Sequence, residues 1–390
     1  MRDAGRVLCA CLLTWTLSMS DAAAGSSLKD LARLEPLAFQ DLPGWEADDH
    51  AAAFRAYLRS CRALEAASAE LRPAQMPQAD LLAICREALK TPEAGKEEAK
   101  RFFETHFRPR AVIPNTGGGF LTGYYEPEFQ GSRTPDATYR VPLLDRPQDL
   151  VTIPQGGTLS GIEKGLQAAR RTANGHEPYP DRAAIEDGAL GDLAKPIVYL
   201  SEPGEAFIIH VQGSARIRLA DGSVMRVAYA GRNGRPYTSI GRVLVQQGEM
   251  DLESMTLEKL MGWLRDHPDP AKALMRQNQS YIFFREATEL APEDGPIGGA
   301  GHPLVPGRSL AVDRSLWAYG LPVWLDGQLP LTLDMAEPLR RLMIAQDTGS
   351  AIVGPARGDF FFGSGEEAGR RAGLLRHPVR FVVLQPKPHS

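Results

Sequence analysis

From Ile113 onward the chain is a succession of short apolar runs cut by glycine and proline, and that texture decides most of what it can fold into. The runs in "GGGFLTGYYEPEFQGS", "PIVYLSEPGEAFIIHVQGSARIRLADGSVMRVAYAG" and "SLWAYGLPVWLDG" are a few residues long and end on turn formers, the signature of strands joined by turns. "LADGSV" and "AGRNGRPY" are the clearest turns. Two patches break the pattern. Between about Asp48 and Phe107, Phe54, Leu58, Cys61 and Leu64 recur at helical spacing, as do Leu81, Cys85 and Leu89, which predicts two or three helices. A second helical patch runs from about Thr238 to Gln277 through "SIGRVLVQQGEM" and "TLEKLMGWLRDH". Strand texture resumes at "SYIFFREA", and no internal repeat or long charged linker interrupts it. The expectation is a mostly-β protein of two domains with helices attached.

Charge narrows the function classes. A net charge of −4 with scattered Lys and Arg leaves no electrostatic footprint for nucleic acid or an anionic membrane surface. The first residues read as an export signal: "MRDAGR" is basic, "VLCACLLTWTLSMS" is apolar, and "DAAAG" offers small residues for cleavage after Ala24. No later window has the roughly 20 apolar residues of a membrane span. The mature protein is therefore expected in the periplasm. Cys9 and Cys11 lie at the start of the apolar stretch and leave with the leader, so a lipidated cysteine is not where an outer-membrane anchor needs it. Cys61 and Cys85 remain as an even pair in an oxidising compartment, which favours a disulfide; the alternative is two buried thiols in helical stripes.

The usual nucleophile, phosphate and zinc motifs are absent. The histidines, among them His106, His176, His210 and His302, show no metal spacing, and neither metal nor cofactor is expected. "GSGEEA" fits a dinucleotide fingerprint, but no acidic residue follows Glu367, so a tight strand-to-helix turn is the better reading. "QDTGS" at Asp347 matches half of an aspartic-protease pair, yet no second such tripeptide exists to share the proton. What remains is a set of three carboxylates, Asp313, Asp347 and Asp359, each at the end of an apolar run beside glycine or small polar residues. Each taken singly reads as a turn residue bonding its own backbone. Together they suggest acids at the mouth of a cleft.

The run "RSLAVDRSLWAYGLPVW … RLMIAQDTGSAIVGPARGDFFFGSGEEAGRRAG" resembles the 3D domain, named for three aspartates. Upstream, "LTGYYEPEFQGS", "DRAAIEDGAL", "IIHVQGSARIRLADG", "YAGRNGRPYTSIGRVL" and "NQSYIFFRE" resemble the membrane-bound lytic murein transglycosylase A family, in order, from about Phe102 to Pro386. The resemblance implies a double-psi β-barrel with an inserted second β domain and an N-terminal helical segment. It divides the chain into a leader (1–24), helices and the first part of the barrel (25–131), the insertion (132–286) and the 3D domain that completes the barrel (287–390).

The implied substrate is peptidoglycan, cut at the β-1,4 bond between N-acetylmuramic acid and N-acetylglucosamine to leave a 1,6-anhydro end. Such a reaction needs one carboxyl that acts first as acid and then as base. The family motif puts it at Asp359. Asp347 becomes the neighbour whose charge, with limited solvation, keeps Asp359 protonated, and Asp313 a structural residue or one that supports the reacting groups from behind. Tyr124 and Tyr125 are candidates for stacking on sugars, with one of the pair in the core because adjacent strand residues face opposite sides. Gln212 and Ser214 are candidates for hydrogen bonds to the glycan, and Phe360 to Phe362 are mainly core. Glycan strands are the expected partner, with cell-wall synthesis or division complexes as possible company. The rival readings are a glycan-binding barrel without catalysis and a hydrolase that admits water.

Overall fold

The computed structural model describes residues 27–154 and 156–388, and the expected leader with its cleavage after Ala24 lies outside the described residues. The chain is mostly β with helices. Its main sheet has eight strands, in the order Ala32–Pro36, Phe107–Pro114, Arg376–Pro386, Pro322–Pro330, Ala336–Asp347, Ser309–Val312, Arg357–Ser364 and Phe120–Glu126. The last strand also pairs antiparallel with Arg376–Pro386, through Thr122 opposite Arg376 and Phe120 opposite Pro378. Hydrogen bonding thus returns on itself, and strands distant in sequence become neighbours.

The central strands of this sheet are apolar on both faces, and the structure gives the reason. Val323, Leu325, Met343, Ala345, Phe381 and Val383 fill the interior, together with Leu310, Val312 and Phe360. The alternate residues Trp324, Leu342, Ile344, Val382 and Leu384 face outward under a helical layer. A strand buried on both faces has no polar positions to alternate with, so "RLMIA" and "FVVL" read as continuous apolar runs.

That layer is made of His50–Glu65, Ala79–Ala88 and Lys96–His106. The Asp49 carboxylate caps the first helix by accepting from the Ala52 amide at 3.0 Å. Phe54, Tyr57, Leu58 and Cys61 follow at helical spacing and are buried against the sheet. A disulfide joins Cys61 to Cys85 across the first two helices, with Cα atoms 4.9 Å apart.

The middle of the chain forms a four-stranded sheet in the order Ile282–Glu286, Val224–Arg232, Ser214–Arg218, Glu128–Gln130, with smaller sheets of two and three strands beside it. Its sheet begins at Glu128, ahead of the boundary expected at Ser132. The helical patch after Thr238 resolves into Ile240–Gln246, Leu257–Asp266 and Pro268–Arg276. Two expectations need correction. "PGEAFIIHVQ" is a helix, Pro203–Gln212, rather than a strand: proline occupies its first turn, Glu202 and Glu205 cap it, and Gly213 closes it at φ 82°. It is buried nearly all round, which hid its helical period. "AGRNGRPY" is also not wholly a turn, because Val224–Arg232 continues through Gly231 and Arg232.

A buried charge cluster joins the two β units. Glu126, 1% exposed, accepts from Arg216 at 2.8 Å, from Arg226 at 2.8 Å and from the Ser364 hydroxyl at 2.6 Å. The arginines also bond the carbonyls of Ala291, Pro292 and Asp294, so the return segment closes over the same carboxylate.

Candidate active site

Three strand pairings bring the acids together. Ala311 faces Asp347 on one side and Asp359 on the other, and Asp359 faces Thr122 on the next strand. Residues in such a row point to the same face of a sheet. Strands lie about 4.8 Å apart, so the Cα atoms of the two aspartates are about 10 Å apart across Ala311.

Strict alternation would turn Asp347 into the interior with Met343 and Ala345. A bulge prevents this: Leu310 pairs with Ala345 but Ala311 pairs with Asp347, leaving Gln346 as the extra residue. The bulge puts Asp347 on the face that carries Ala311, Asp359 and Phe361. Gln346 is fully buried and held in place, donating to the Ala56 carbonyl and the Ser60 hydroxyl, each at 2.8 Å, and accepting from Ser309.

Asp359 is part-buried and its Oδ1 accepts from the Thr122 hydroxyl at 2.5 Å. That hydroxyl accepts from the Arg357 guanidinium at 2.8 Å, so its own proton is directed at Asp359. Burial pushes the Asp359 pKa from the ordinary 3.8 up to about 6, against the pull of Arg357 and Thr122. The Asp347 charge raises it further but is the least of the causes. Asp347 thus acts in the expected direction, and desolvation is the larger cause.

Asp347 is also part-buried, and its Oδ1 accepts from the Gly299 amide at 2.7 Å and the Thr348 amide at 2.8 Å. Burial raises its pKa, opposed by the Arg72 charge and these two amides. Among the described residues no second carboxylate is hydrogen-bonded to Asp347, which speaks against an aspartic-protease pair. Asp313 is 6% exposed and serves the loops. It accepts from the Ser315 amide at 2.9 Å and the Gly354 amide at 2.7 Å.

Both tyrosine rings are buried, Tyr125 as the core member of the pair and Tyr124, the binding candidate, beside the acids. Tyr125, 6% exposed, lies under the helix Glu366–Leu374, whose Gly369 has no room for a Cβ: one would sit 2.6 Å from the ring. Tyr124, 9% exposed, packs on Phe361 with ring centroids 5.2 Å apart, so its ring face is not free to stack on sugar. What it offers is its hydroxyl, which is buried beside Asp347 and lies in the field of both aspartates. Gln212 uses its side-chain carbonyl to accept the Tyr125 amide at 3.1 Å, tying its helix to the strand of the site. Ser214 is only 5% exposed and opens a strand of the middle sheet, so it presents little surface to a ligand. Phe360 and Phe361 are core, and Phe362 is partly covered.

Sequence reasoning missed Thr122 and Arg357, though each lies two residues from a residue it had chosen, Tyr124 and Asp359, and hence on the same strand face. It also missed the opposite wall. Tyr237, whose pKa burial raises, also lies within the field of the Asp359 charge, and Arg72 reaches in from the loop after the first helix to donate to the Thr348 carbonyl at 2.7 Å.

Residues 120–285 match the MltA specific insert domain, and residues 308–385 match the 3D domain. The membrane-bound lytic murein transglycosylase A of Escherichia coli K12 is 34% identical over 282 residues, which span 70% of this chain and 67% of that protein. A crystal structure of a membrane-bound lytic murein transglycosylase from Agrobacterium tumefaciens superposes with a TM-score of 0.81 at 38% identity, covering 90% of this chain and 97% of that one. E. coli MltA with bound chitohexaose superposes at 0.58, with 29% identity over 80% of this chain and 84% of that one. Matching sequence, matching fold and the 3D segment carrying all three aspartates lead to one conclusion: the chain belongs to the membrane-bound lytic murein transglycosylase A family.

Proposed function

We propose that this chain cleaves the β-1,4 bond between N-acetylmuramic acid and N-acetylglucosamine in peptidoglycan without water as nucleophile, leaving a 1,6-anhydromuramic acid end. The observation that carries the reading is Asp359, recessed in the cleft face with a pKa of about 6 and one oxygen already held by Thr122. Its Oδ2 is the oxygen left for substrate. Near neutral pH a useful fraction is protonated and can donate to the glycosidic oxygen as positive charge develops at C1.

The carboxylate formed is then stabilised by the Thr122 hydroxyl and, through it, by Arg357. It removes the proton of the C6 hydroxyl, whose oxygen attacks C1 and closes the anhydro ring. One acid suffices. Asp347, anchored by two amides, supplies negative charge near the developing cation, and the Tyr124 hydroxyl faces the same space. The binding of chitohexaose by the E. coli relative fits a groove that takes β-1,4 glycans.

The ring of strand pairings, with Ser309–Val312 parallel to Ala336–Asp347 and Arg357–Ser364 parallel to Phe120–Glu126, supports a double-psi barrel. The β unit between 132 and 286 is then an insertion, and the glycan groove lies between the two. Among the described residues no helix is long and apolar enough to cross a membrane. The envelope location of the family and the export-type N-terminus support a periplasmic site of action.

A second reading draws on the register. Two aspartates on one face supply the pair an inverting hydrolase needs, one as acid and one as base for water. In that case Asp347 is the base, and the product carries a hydrated reducing end. Mass spectrometry of peptidoglycan digested with the wild type and with Asp359→Asn separates the readings. Anhydro-muropeptides from the wild type and none from the variant are expected; hydrated ends or an active variant would overturn the proposal.

A further inference from the structure

Three guanidinium groups crowd the cleft beside Asp347. Arg72 donates to the Thr348 carbonyl and lies 4.2 Å over the Tyr229 ring, spanning from the 3D segment to the middle sheet. Arg232, at the end of Val224–Arg232, donates to the Ser350 hydroxyl, two residues along the same loop. Arg314 donates to the Pro73 carbonyl at 2.8 Å, next to Arg72 in the chain. All three are part-buried.

None of them forms an ion pair among the described residues, whereas other arginines do: Arg216 and Arg226 share Glu126, Arg59 meets Asp294, and Arg308 meets Asp48. Asp347 lies in the field of Arg72 and Asp313 in that of Arg314, and both carboxylates already accept two backbone amides. The arginines repel one another. Burial together with the charges of Arg72 and Arg314 pulls the Arg232 pKa down to about 10. Desolvated charges are ordinarily paired, so an unpaired group of three at a cleft is a site awaiting an anion. Each guanidinium bonds a neutral oxygen of the protein and keeps further N–H donors in a fork that matches a carboxylate.

We infer that Arg72, Arg232 and Arg314 form a carboxylate subsite that binds the stem peptide of the muramic acid residue whose bond is cut. The inference rests on the proposed transglycosylase reading. Muramic acid carries its peptide on the lactyl group at C3, two carbons from the reacting C1 of the same ring, and the arginines stand beside the reacting acids. A peptide-bearing sugar is then recognised over a bare one by charge-assisted hydrogen bonds.

The test compares kcat/KM on peptide-bearing glycan strands with that on strands stripped of peptide, for the wild type, Arg232→Gln and Arg314→Gln, each first checked for a native circular dichroism spectrum. Loss of a charge-assisted hydrogen bond lowers the ratio of peptide-bearing to stripped substrate by about 10- to 100-fold, mainly through KM. Two variants keep the test open if one fails to fold. A ratio unchanged in the folded variants overturns the subsite while the wild type still makes anhydro ends from both substrates. A wild type that makes none from either overturns the underlying reaction, and the subsite with it.

Discussion

Replacing Asp359 with asparagine should stabilise the protein while abolishing its activity, and the gain should depend on pH. In the unfolded chain this carboxyl titrates at the ordinary 3.8, and in the fold at about 6. Between those values the folded protein holds a proton that the unfolded chain has released. The contribution to stability is therefore full below about pH 4, falls as pH rises, and is gone above about pH 6. A rise of about two pH units is worth about 3 kcal/mol, and partial solvent access to the side chain reduces this to about 1–3 kcal/mol. Asparagine keeps the shape and still accepts from Thr122, but it has no charge to desolvate. Urea unfolding of the two proteins, followed from about pH 4 to about pH 7, should give a difference that grows across that window and then levels. A difference independent of pH would refute the argument that burial holds this acid protonated.

The remaining predictions concern neighbouring groups. The wild-type kcat/KM should fall about tenfold per pH unit above the Asp359 pKa of about 6, and Thr122→Val, which removes a donor to the carboxylate, should move that limb upward by about one unit. A limb that stays in place would mean that Thr122 does not act on the catalytic proton. Asp347→Asn should move the limb downward by less than Thr122→Val moves it up, whereas complete loss of cleavage with no shift would favour the hydrolytic reading. Glu126→Ala leaves one buried and one part-buried guanidinium group without their carboxylate and should cost about 3–5 kcal/mol in urea unfolding at neutral pH. A loss under about 1 kcal/mol would show that water replaces the carboxylate easily. Reducing the Cys61–Cys85 disulfide, which closes a loop with a sequence separation of 24, should destabilise the helical layer by about 3 kcal/mol, read as a lowered denaturation midpoint.

How much of this was legible in the sequence depends on whether the signal was local. The helices from His50 to His106 declared themselves because one face is apolar and the other is not. The strand texture after Ile113 was legible through its turns, and Gly365 at φ 85° makes the strand-to-helix turn expected in "GSGEEA". The helix Pro203–Gln212 was missed because a helix buried all round carries no period, although its proline, its capping glutamates and Gly213 were present to be read. At the site, the acids could be named from the resemblance, but not their relation. Asp347 reaches the face of Asp359 only through the extra residue Gln346, and no local pattern marks a bulge that depends on contacts with Ala56 and Ser60. Arg72 was illegible for a similar reason: it lies in a loop, and its meaning comes from Tyr229 and Thr348, far along the chain.

The central claim is that no water enters the reacting bond, and digestion of peptidoglycan in ¹⁸O-labelled water tests it most directly. The account predicts muramic acid ends that carry no label and are lighter than hydrolysed ends by one water. Incorporation of one ¹⁸O at C1 for each bond cut would contradict it and make the cleft of Asp359 and Asp347 that of a hydrolase.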